Sequence, residues 1–359
     1  MNIAFVNSTH GWGGIKTWTL DVGRELLKRG HSVSVFARQA EFVARAREAG
    51  LAAERFWFGP DFNPVAVYRL LRRFMKRRID RVVVNVGRDL KTGGVAAWLV
   101  GIPVVQRVGL PGDMEYSGSL KLLHGWLKPR FLTPCQFVKD GFRRELPYVA
   151  DEAVKVIHNA KVPVENPDLS VGDPRVLVTT SQLKPEKEHR TVLRALAGID
   201  IDYRYVILGT GSMEAELMME AAQLGIADKV AFAGFQQNIG DYLRRADIFV
   251  FPSKGEGLPN ALLEAMAHGL AVVSRDVGGV AEIWPHYLED WLLPYNSGVD
   301  EFRERLEMIL GVPDEELRAL KLASLRACGE RFHVRDKITE LETWLHGLGP
   351  IYSKKRKNT

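Results

Sequence analysis

Short apolar runs alternate with amphipathic helical patterns along most of the chain. Four runs in the first half predict β-strands: Ile3–Val6, Ser32–Phe36, Arg81–Val86 and Ile102–Gln106. Between the first two, Ile15–Arg29 predicts a helix that ends at Gly30. Val82-Val83-Val84 is apolar on both faces of the pleat, which is typical of a strand with helices on both sides. This repetition predicts a doubly wound parallel sheet.

The same alternation restarts after a segment rich in proline and polar residues. Residues 162–168 contain two prolines, and Gly172-Asp173-Pro174 follows, so this stretch is predicted to be a linker. Five further strand candidates come after it: Val176–Thr180, Tyr205–Leu208, Val230–Ala233, Ile248–Phe251 and Ala271–Ser274. Helical patterns lie between them, at about 188–197, 213–224, 238–246 and 260–268.

This organisation predicts two α/β domains, at residues 1–166 and 167–334. A helix at 335–350 is expected to pack back towards the first domain, and 351–359 is expected to be a disordered basic tail. The length of 359 residues agrees with two domains. Apolar residues make up 46% of the chain and charged residues 26%, which excludes disordered, collagen-like and disulfide-scaffold classes.

Cysteine content and hydropathy favour a cytoplasmic location. Cys135 and Cys328 are the only cysteines, and they show neither a disulfide framework nor a metal-site spacing. No apolar run reaches the roughly 18–20 residues that span a bilayer, and the first residues predict a strand rather than a signal peptide.

Charge is distributed unequally between the halves. The net charge is +5, but residues 1–170 hold 26 Lys/Arg against 16 Asp/Glu, while the remainder holds 23 against 28. Within the basic half, Arg69–Arg78 predicts an amphipathic basic helix. Such a helix either lies on anionic lipid head groups or covers the sheet with a solvated basic face. The excess has no recognised nucleic-acid-binding module around it, so nucleic-acid binding is not expected.

Two segments carry candidate chemistry. The first, His10-Gly11-Trp12-Gly13-Gly14, joins the first strand to the first helix, where glycines let a ligand approach the backbone and free N–H groups can bind an anion. It matches neither the GxGxxG nor the Walker pattern, and a plain tight turn is the alternative explanation.

The second segment is Pro252–Ala267, which follows a predicted strand and opens a helix. Glu256 lies in its loop, and Glu264 lies eight residues later in the helix. Two carboxylates so placed can accept hydrogen bonds from neighbouring hydroxyls of a sugar or ribose. Three backbone N–H groups are expected to face the same site, those of Gly257, Leu258 and Asn260. The alternative is a pair of solvated surface glutamates.

The Glu-x7-Glu segment, followed by Val272–Ile283, resembles the retaining, nucleotide-sugar-dependent GT-B glycosyltransferases of the group 1 type, family four. Other landmarks of that family occur in order: Gly13-Gly14, Ile157-His158-Asn159-Ala160, Leu183–Lys187, Leu208–Gly211 and Val230–Phe235. The resemblance covers nearly the whole chain. It implies an α/β GT-B fold, with two Rossmann-like doubly wound domains facing a central cleft.

The resemblance also implies residue roles. Lys187 matches the lysine that neutralises the donor diphosphate, Glu264 the carboxylate that holds the ribose, and Glu256 the one that faces the donor sugar; Glu256 and Lys187 are the catalytic candidates. The implied donor-binding set is Gly13, Gly14, Lys184, Lys187, Gly209, Gly211, Phe235, Gln236, Glu256, Gly257, Leu258, Asn260 and Glu264. The nucleotide sugar is the co-substrate, and no other cofactor and no essential metal are implied.

Three departures from the family pattern leave questions open. Gln182 stands where an arginine is usual, so Lys184 or Arg190 is expected to supply the missing charge. Ala160 replaces a glycine. Gln106-Arg107-Val108-Gly109 stands where many members carry a histidine, which leaves a first-domain acid or base unassigned. Loop candidates there are Arg88, Asp89, Arg107 and Asp113, and Arg88, Arg107 and Asp113 are predicted to bind the acceptor.

These features predict a retaining glycosyltransferase that moves a hexose, preferably from a UDP-sugar with GDP-mannose as the other candidate, to a glycan or lipid-linked saccharide. Biosynthesis of lipopolysaccharide or another cell-surface polysaccharide is the expected setting, in the cytoplasm with an anionic membrane surface as a candidate partner. A nucleotide-sugar epimerase on the same fold and a non-catalytic sugar-nucleotide-binding protein are the alternatives.

Overall fold

The computed structural model describes residues 1–350, and the predicted basic tail at 351–359 lies outside these described residues. The chain divides into two compact units. Unit 1 contains residues 1–159 and the helix that begins at Val334, and unit 2 contains residues 160–333. Within residues 1–350, none of the helices is both long enough and apolar enough to span a membrane.

Unit 1 is built on a seven-stranded parallel sheet. Its strands are β1 Asn2–Asn7, β2 Ser32–Ala37, β3 Ala52–Arg55, β4 Arg81–Val84, β5 Val104–Arg107, β6 Arg130–Thr133 and β7 Val154–Val156. They lie in the order β3-β2-β1-β4-β5-β6-β7. The helices between them are α1 Gly14–Lys28, α2 Ala40–Glu48, α3 Pro64–Lys76, α4 Gly87–Asp89, α5 Val95–Leu99, α6 Gly118–Leu127 and α7 Gln136–Glu145. A π-helical segment, Leu90–Gly94, joins α4 to α5.

Unit 2 repeats this plan with a six-stranded parallel sheet. Its strands are β8 Arg175–Thr180, β9 Tyr203–Leu208, β10 Val230–Gly234, β11 Ile248–Phe251, β12 Ala271–Arg275 and β13 Leu292–Leu293, in the order β10-β9-β8-β11-β12-β13. Its helices are α8 His189–Leu196, α9 Glu214–Gln223, α10 Ile239–Arg244, α11 Asn260–Ala267, α12 Val280–Ile283, α13 Val299–Gly311 and α14 Asp314–Arg331. Short 3-10 segments occur at Pro185–Lys187 and His286–Trp291.

The last helix, α15 Val334–Gly347, belongs to unit 1. Glu342 on this helix accepts from Arg29 at 3.2 Å and lies 2.8 Å from Nε2 of His31. Arg81, the first residue of β4, donates through Nε to the carbonyl of Leu345 at 2.7 Å. Polar contacts therefore fix α15 to the amino ends of the unit 1 strands.

Helix α3 shows how the basic half is built. Its first turn is set by Pro64 and by Asn63, whose side chain accepts from the N–H groups of Val65 and Ala66. Leu70 and Phe74 pack into the core beneath the sheet. The helix therefore buries one apolar stripe and leaves its basic face outside.

The α/β class predicted from the sequence is confirmed, with two doubly wound parallel sheets. All nine predicted strands are present within two residues of their predicted bounds, because apolar runs of this kind are buried on both faces of a parallel sheet. In each sheet the strand order reverses once, between β1 and β4 and between β8 and β11. Ligands of open α/β sheets bind at the carboxyl ends of the strands beside such a reversal.

Candidate active site

An ion pair joins the two loops at the strand reversal of unit 2. Lys187, at the end of the 3-10 turn after β8, donates to the carboxylate of Glu256 in the loop after β11. The same ammonium lies 3.1 Å from the carbonyl of Gly255 and 3.5 Å from Oγ of Ser253. Ser253 in turn donates to Glu256 at 3.0 Å. The structure therefore brings together the two predicted catalytic residues.

Backbone contacts hold the loop that carries Glu256. The N–H of Lys254 donates to the carbonyl of Glu186 at 2.8 Å, and the N–H of Gly279 donates to that of Gly257 at 2.6 Å. Gly278 has φ +62°, and a Cβ there would lie 2.4 Å from the carbonyl oxygens of Glu256 and Gly257. Only glycine fits such an approach, so the loop and the turn after β12 form one packed layer.

Arg275 anchors the start of the same loop, and sequence analysis missed it. This residue ends β12 and is completely buried. Its Nε donates to the carbonyl of Pro252 at 2.8 Å, and its Nη1 donates to those of Tyr295 and Ser297, each at 2.6 Å. Burial lowers the pKa of Arg275. The only sequence signal was a charged residue at the end of an otherwise apolar strand.

The predicted glycines after β9 serve close backbone packing. Gly209 has φ +137°, and a Cβ on it would lie 1.8 Å from the carbonyl oxygen of Ser181. A Cβ on Gly211 would lie 2.2 Å from the carbonyl oxygen of Leu183. The loops that follow β8 and β9 are thus in direct contact, which positions the segment that leads to Lys187.

Glu264 lies on α11, next to a lysine that sequence analysis did not select. Its carboxylate is 3.9 Å from Nζ of Lys161, and its side chain remains 30% exposed. The carbonyl of Glu264 accepts from the N–H of His268 at 3.2 Å within the helix. Lys161 directly follows the Ile157–Ala160 landmark, which was the signal that could have identified it.

The remaining predicted donor-binding residues of unit 2 lie on the same set of loops. Gln236 donates through Nε2 to the carbonyl of Ala233 at 2.6 Å, and the neighbouring Phe235 is half exposed. Leu258 is buried, and Asn260 is the first residue of α11. All of these residues follow the carboxyl ends of β10 or β11, as expected for one ligand site.

The two candidates for the missing positive charge differ in their surroundings. Arg190 donates to Glu220 at 2.5 Å and to Glu216 at 3.2 Å, and the pKa of Arg190 is raised, chiefly by the hydrogen bond to Glu220. Lys184 is exposed and has no ion pair within the described residues. Arg190 is therefore already neutralised by its own unit, whereas Lys184 is available to a ligand.

A buried histidine forms a hydrogen bond with the loop that follows β8. Nε2 of His189 lies 2.7 Å from Oγ of Ser181, and burial lowers the pKa of His189 to about 4. The imidazole is therefore neutral near pH 7. It adds no charge to the site and acts as a hydrogen-bonding support.

In unit 1, the glycine-rich segment before α1 is supported by a buried lysine. Gly13 precedes the helix in an extended conformation, and Gly14 is its first residue. Lys16 is 1% exposed and donates to the carbonyls of Thr9 and Gly11 at 3.2 and 2.6 Å. Burial lowers the pKa of Lys16 to about 8. Sequence analysis missed this side chain because it looked like an ordinary surface position of α1.

The loop candidates of unit 1 fall into different environments. Arg88 pairs with Asp61 at 3.2 Å on the surface. Asp113 accepts from the N–H groups of Gly109 and Leu110 at 2.6 and 2.8 Å, so one of its oxygens stabilises a turn. Arg107 is buried.

Asp89 is also buried, where a loop side chain was expected. Its two oxygens accept backbone hydrogen bonds from Ser8 at 2.7 Å and from Asn85 and Val86 at 3.2 Å. Burial raises the pKa of Asp89 to about 6, although these hydrogen bonds act in the opposite direction. Asp89 thus joins the loops that follow β1 and β4.

No cluster of three or more metal-ligating side chains occurs among residues 1–350. One Asp-x-Asp triplet exists, Asp200-Ile201-Asp202, and it precedes β9. It therefore lies at the amino end of that strand, away from the site loops, with Asp202 3.8 Å from Lys229.

Comparison with known proteins identifies the family. Residues 165–322 match the family model of the glycosyl transferases group 1, and residues 12–160 match that of Glycosyltransferase Family 4. The UDP-Gal:alpha-D-GlcNAc-diphosphoundecaprenol alpha-1,3-galactosyltransferase of Escherichia coli is 24% identical over 281 residues, which cover 70% of each protein. The N-acetylgalactosamine-N,N'-diacetylbacillosaminyl-diphospho-undecaprenol 4-alpha-N-acetylgalactosaminyltransferase of Campylobacter jejuni is 30% identical over 134 residues, which cover 36% of each protein.

Two further curated relatives match over shorter stretches, and a solved structure shows the fold. The chain spans only 16% and 25% of the length of two further curated relatives, from Salmonella typhi and Erwinia amylovora. Anabaena Alr3699/HepE, solved in complex with UDP, superposes with a TM-score of 0.81 at 19% identity, over 97% of this chain and 100% of that one. The chain therefore belongs to the group 1, family 4 glycosyltransferases, and its fold is that of the GT-B enzymes.

Proposed function

We propose that this chain is a retaining hexosyltransferase that takes its sugar from a nucleotide diphosphate sugar, with a UDP-sugar as the preferred donor. The observation that carries this proposal is the Lys187–Glu256 pair at the strand reversal of unit 2, with Glu264 on the helix that follows. An ammonium beside a sugar-facing carboxylate provides a cation for a diphosphate leaving group and an acceptor for sugar hydroxyls.

In the proposed reaction the donor's anomeric carbon is attacked on the face from which the diphosphate departs. The bond from that carbon to the diphosphate oxygen breaks, the bond to the acceptor oxygen forms, and the acceptor proton passes to a departing phosphate oxygen. Lys187 stabilises the negative charge that develops on the leaving group. Glu256 orients the sugar, and Glu264 binds the ribose hydroxyls. No nucleophile of the protein and no metal are required by this scheme.

The acceptor is proposed to be a glycan or lipid-linked saccharide of a cell-surface polysaccharide or lipopolysaccharide. The relatives from Escherichia coli and Campylobacter jejuni, whose names specify diphosphoundecaprenol-linked acceptors, support this class. Unit 1, with its basic excess and the exposed basic face of α3, is proposed to bind this acceptor and to meet an anionic membrane surface from the cytoplasmic side.

A donor panel tests this function. The protein is incubated with UDP-glucose, UDP-galactose, UDP-N-acetylglucosamine and GDP-mannose, and nucleotide and sugar products are separated by chromatography. We expect slow release of free nucleotide from one donor, abolished in Lys187→Ala. A converted sugar on the intact nucleotide would instead indicate an epimerase. Binding without any turnover would indicate a sugar-nucleotide-binding protein. Once an acceptor is found, the anomeric configuration of the product tests retention.

A further inference from the structure

Three buried polar side chains form a row at the carboxyl edge of the unit 1 sheet. Asn7 ends β1, Asn85 follows β4, and Arg107 ends β5, and these residues are 1%, 4% and 5% exposed. The register that pairs Phe5 with Val83 and Val84 with Gln106 continues to place the three side by side. Residues in register on neighbouring parallel strands point to the same face of the sheet, so the row is continuous.

The two asparagines each leave one polar atom unused. Nδ2 of Asn85 donates to the carbonyl of Val6 at 3.2 Å, and Oδ1 of Asn7 accepts from the hydroxyl of Thr9 at 2.7 Å. Nδ2 of Asn7 and Oδ1 of Asn85 are buried without a partner in the described part of the chain. An unpaired buried polar group costs about 1–3 kcal/mol. The row therefore contains one unused donor and one unused acceptor.

Arg107 adds a positive charge that unit 1 leaves largely uncompensated. Its guanidinium lies over the ring of Trp18, 4.6 Å from the ring centre, and its Nη2 reaches Oδ1 of Asn159 at 3.4 Å. Among residues 1–350, Asp113 is the carboxylate whose charge acts on the pKa of Arg107. Burial lowers the pKa of Arg107 to about 10, so the side chain is still charged near pH 7. A buried cation of this kind is stabilised by an oxyanion that its planar fork can bind.

The loop after β5 approaches the guanidinium at a glycine. Gly109 lies next to it, and a Cβ at that position would be 3.5 Å from Nη1. Asp113 lies in this loop, and its negative charge acts to raise the pKa of Arg107 against the effect of burial. Oδ2 of Asp113 accepts hydrogen bonds from the N–H groups of Gly109 and Leu110. The Asp113 carboxylate thus stabilises the turn through these two backbone hydrogen bonds.

We propose that Asn7, Asn85 and Arg107, with Trp18, form an oxyanion subsite for the acceptor, which therefore carries a carboxylate or a phosphate group. The guanidinium binds two oxygens of that group, and the unused amide atoms bind an adjacent hydroxyl. This inference rests on the proposed function, because it assigns the acceptor side of a glycosyltransferase. It names the acceptor's chemical class, which the family membership leaves open.

The test compares three sugars that differ in charge. Methyl β-D-glucuronide, glucose 6-phosphate and methyl β-D-glucoside are titrated into the full chain and followed by ligand-observed NMR, with UDP binding measured separately. We expect one of the two anionic sugars to bind at least 10-fold more tightly than the neutral glucoside, and its identity distinguishes carboxylate from phosphate. In Arg107→Gln this preference should disappear, with UDP affinity unchanged.

Two further variants keep the result decisive. Arg130→Gln removes a part-buried arginine at the amino end of the neighbouring strand β6 and should retain the preference. Arg107→Lys retains the charge but not the planar fork, and should lower the preference at least threefold even if Arg107→Gln does not fold. Equal binding of charged and neutral sugars by the wild type, or an unchanged preference in either folded Arg107 variant, would overturn the subsite. Failure of the wild type to bind UDP would instead contradict the proposed function, because UDP binding and sugar binding are measured independently.

Discussion

The ammonium of Lys187 and the carboxylate of Glu256 pair across two loops that follow adjacent strands, with only 15% and 19% of their side chains exposed. Three protein oxygens lie within 3.5 Å of this ammonium nitrogen, those of Glu256, Gly255 and Ser253. A diphosphate can therefore approach Lys187 only by competing with these oxygens, of which the Glu256 carboxylate carries the charge.

This competition predicts different effects of two substitutions on nucleotide binding. Lys187→Ala should weaken UDP binding about 10- to 100-fold, because it removes the cation that contacts the diphosphate. Glu256→Gln should leave UDP affinity unchanged or raise it a few-fold, while donor turnover falls at least 100-fold. Isothermal titration with UDP and a nucleotide-release assay measure the two effects.

Lys254→Ala is the matched control for this pair. Lys254 lies in the same loop and pairs with Glu188 at 3.4 Å, so its removal should change neither value by more than about twofold. A fall in UDP affinity for Glu256→Gln as large as that for Lys187→Ala would contradict the competition.

The sequence predicted the parts of this site that depend on local pattern. Glu256 and Glu264 could be selected because their spacing places them on a loop and a helix start after a predicted strand. Lys187 could be selected because Leu183–Lys187 resembles the donor-phosphate loop of the family. Arg275 and Lys161 could not be selected, because their roles depend on which loops the fold brings together. Arg190 is a further example, because its ion pair with Glu220 joins α8 to α9. Long-range ion pairs of this kind have no local signal.

Because Arg190 is already paired with Glu220, we expect Lys184 to supply the positive charge that Gln182 lacks. Lys184→Ala should weaken UDP-sugar binding about 5- to 20-fold, as expected for loss of one charge-assisted hydrogen bond. Arg190→Ala should leave affinity unchanged and lower the melting temperature slightly, because it breaks contacts to Glu216 and Glu220. Calorimetric titration and thermal unfolding of both variants separate these outcomes. Unchanged affinity in Lys184→Ala would exclude Lys184 from the phosphate site.

The role of Glu264 can be tested with a modified nucleotide. If its carboxylate holds the ribose hydroxyls, wild-type protein should bind UDP about 5- to 50-fold more tightly than 2′-deoxy-UDP. Glu264→Ala should bind both nucleotides equally and weakly. Glu282→Ala, on the short helix α12 of the same unit, should retain the preference. A preference that survives in Glu264→Ala would assign the ribose to another group.

Two basic residues near the end of α3 are paired with a carboxylate, and three others are exposed to solvent. Arg73 and Arg77 pair with Glu54, at 2.5 and 3.6 Å, whereas Arg69, Arg72 and Lys76 are exposed. Charge reversal of the three exposed residues to Glu should therefore reduce pelleting with vesicles containing phosphatidylglycerol without unfolding the protein.

A control with the same charge change separates the helix from net charge. Arg204, Arg318 and Arg326 are exposed residues of unit 2, and their joint replacement by Glu should leave pelleting nearly unchanged. Equal pelleting by wild type and the α3 variant would leave the helix with the purely structural role of covering the sheet.

Asp89 predicts a specific dependence of stability on pH. Its pKa is about 6 in the folded chain and 3.8 when unperturbed, so the folded state binds the proton more tightly. The contribution of this proton to stability is complete below about pH 4 and is lost as the pH rises through about 6, by up to about 3 kcal/mol. The difference in unfolding free energy between wild type and Asp89→Asn should therefore fall across this window and stay constant above it. Urea unfolding at pH 4, 5, 6 and 7 measures it.

The control is Asp61, whose pKa is lowered, chiefly by the hydrogen bond from Lys91. A lowered pKa places the loss of stability on the acid side, below the unperturbed value, so the difference between wild type and Asp61→Asn should change little between pH 4 and 6. Because Asn cannot accept backbone hydrogen bonds at both positions of the Asp89 carboxylate, Asp89→Asn should be destabilised at every pH. A difference that does not vary with pH would mean that Asp89 is charged throughout, held by its three backbone donors against the effect of burial.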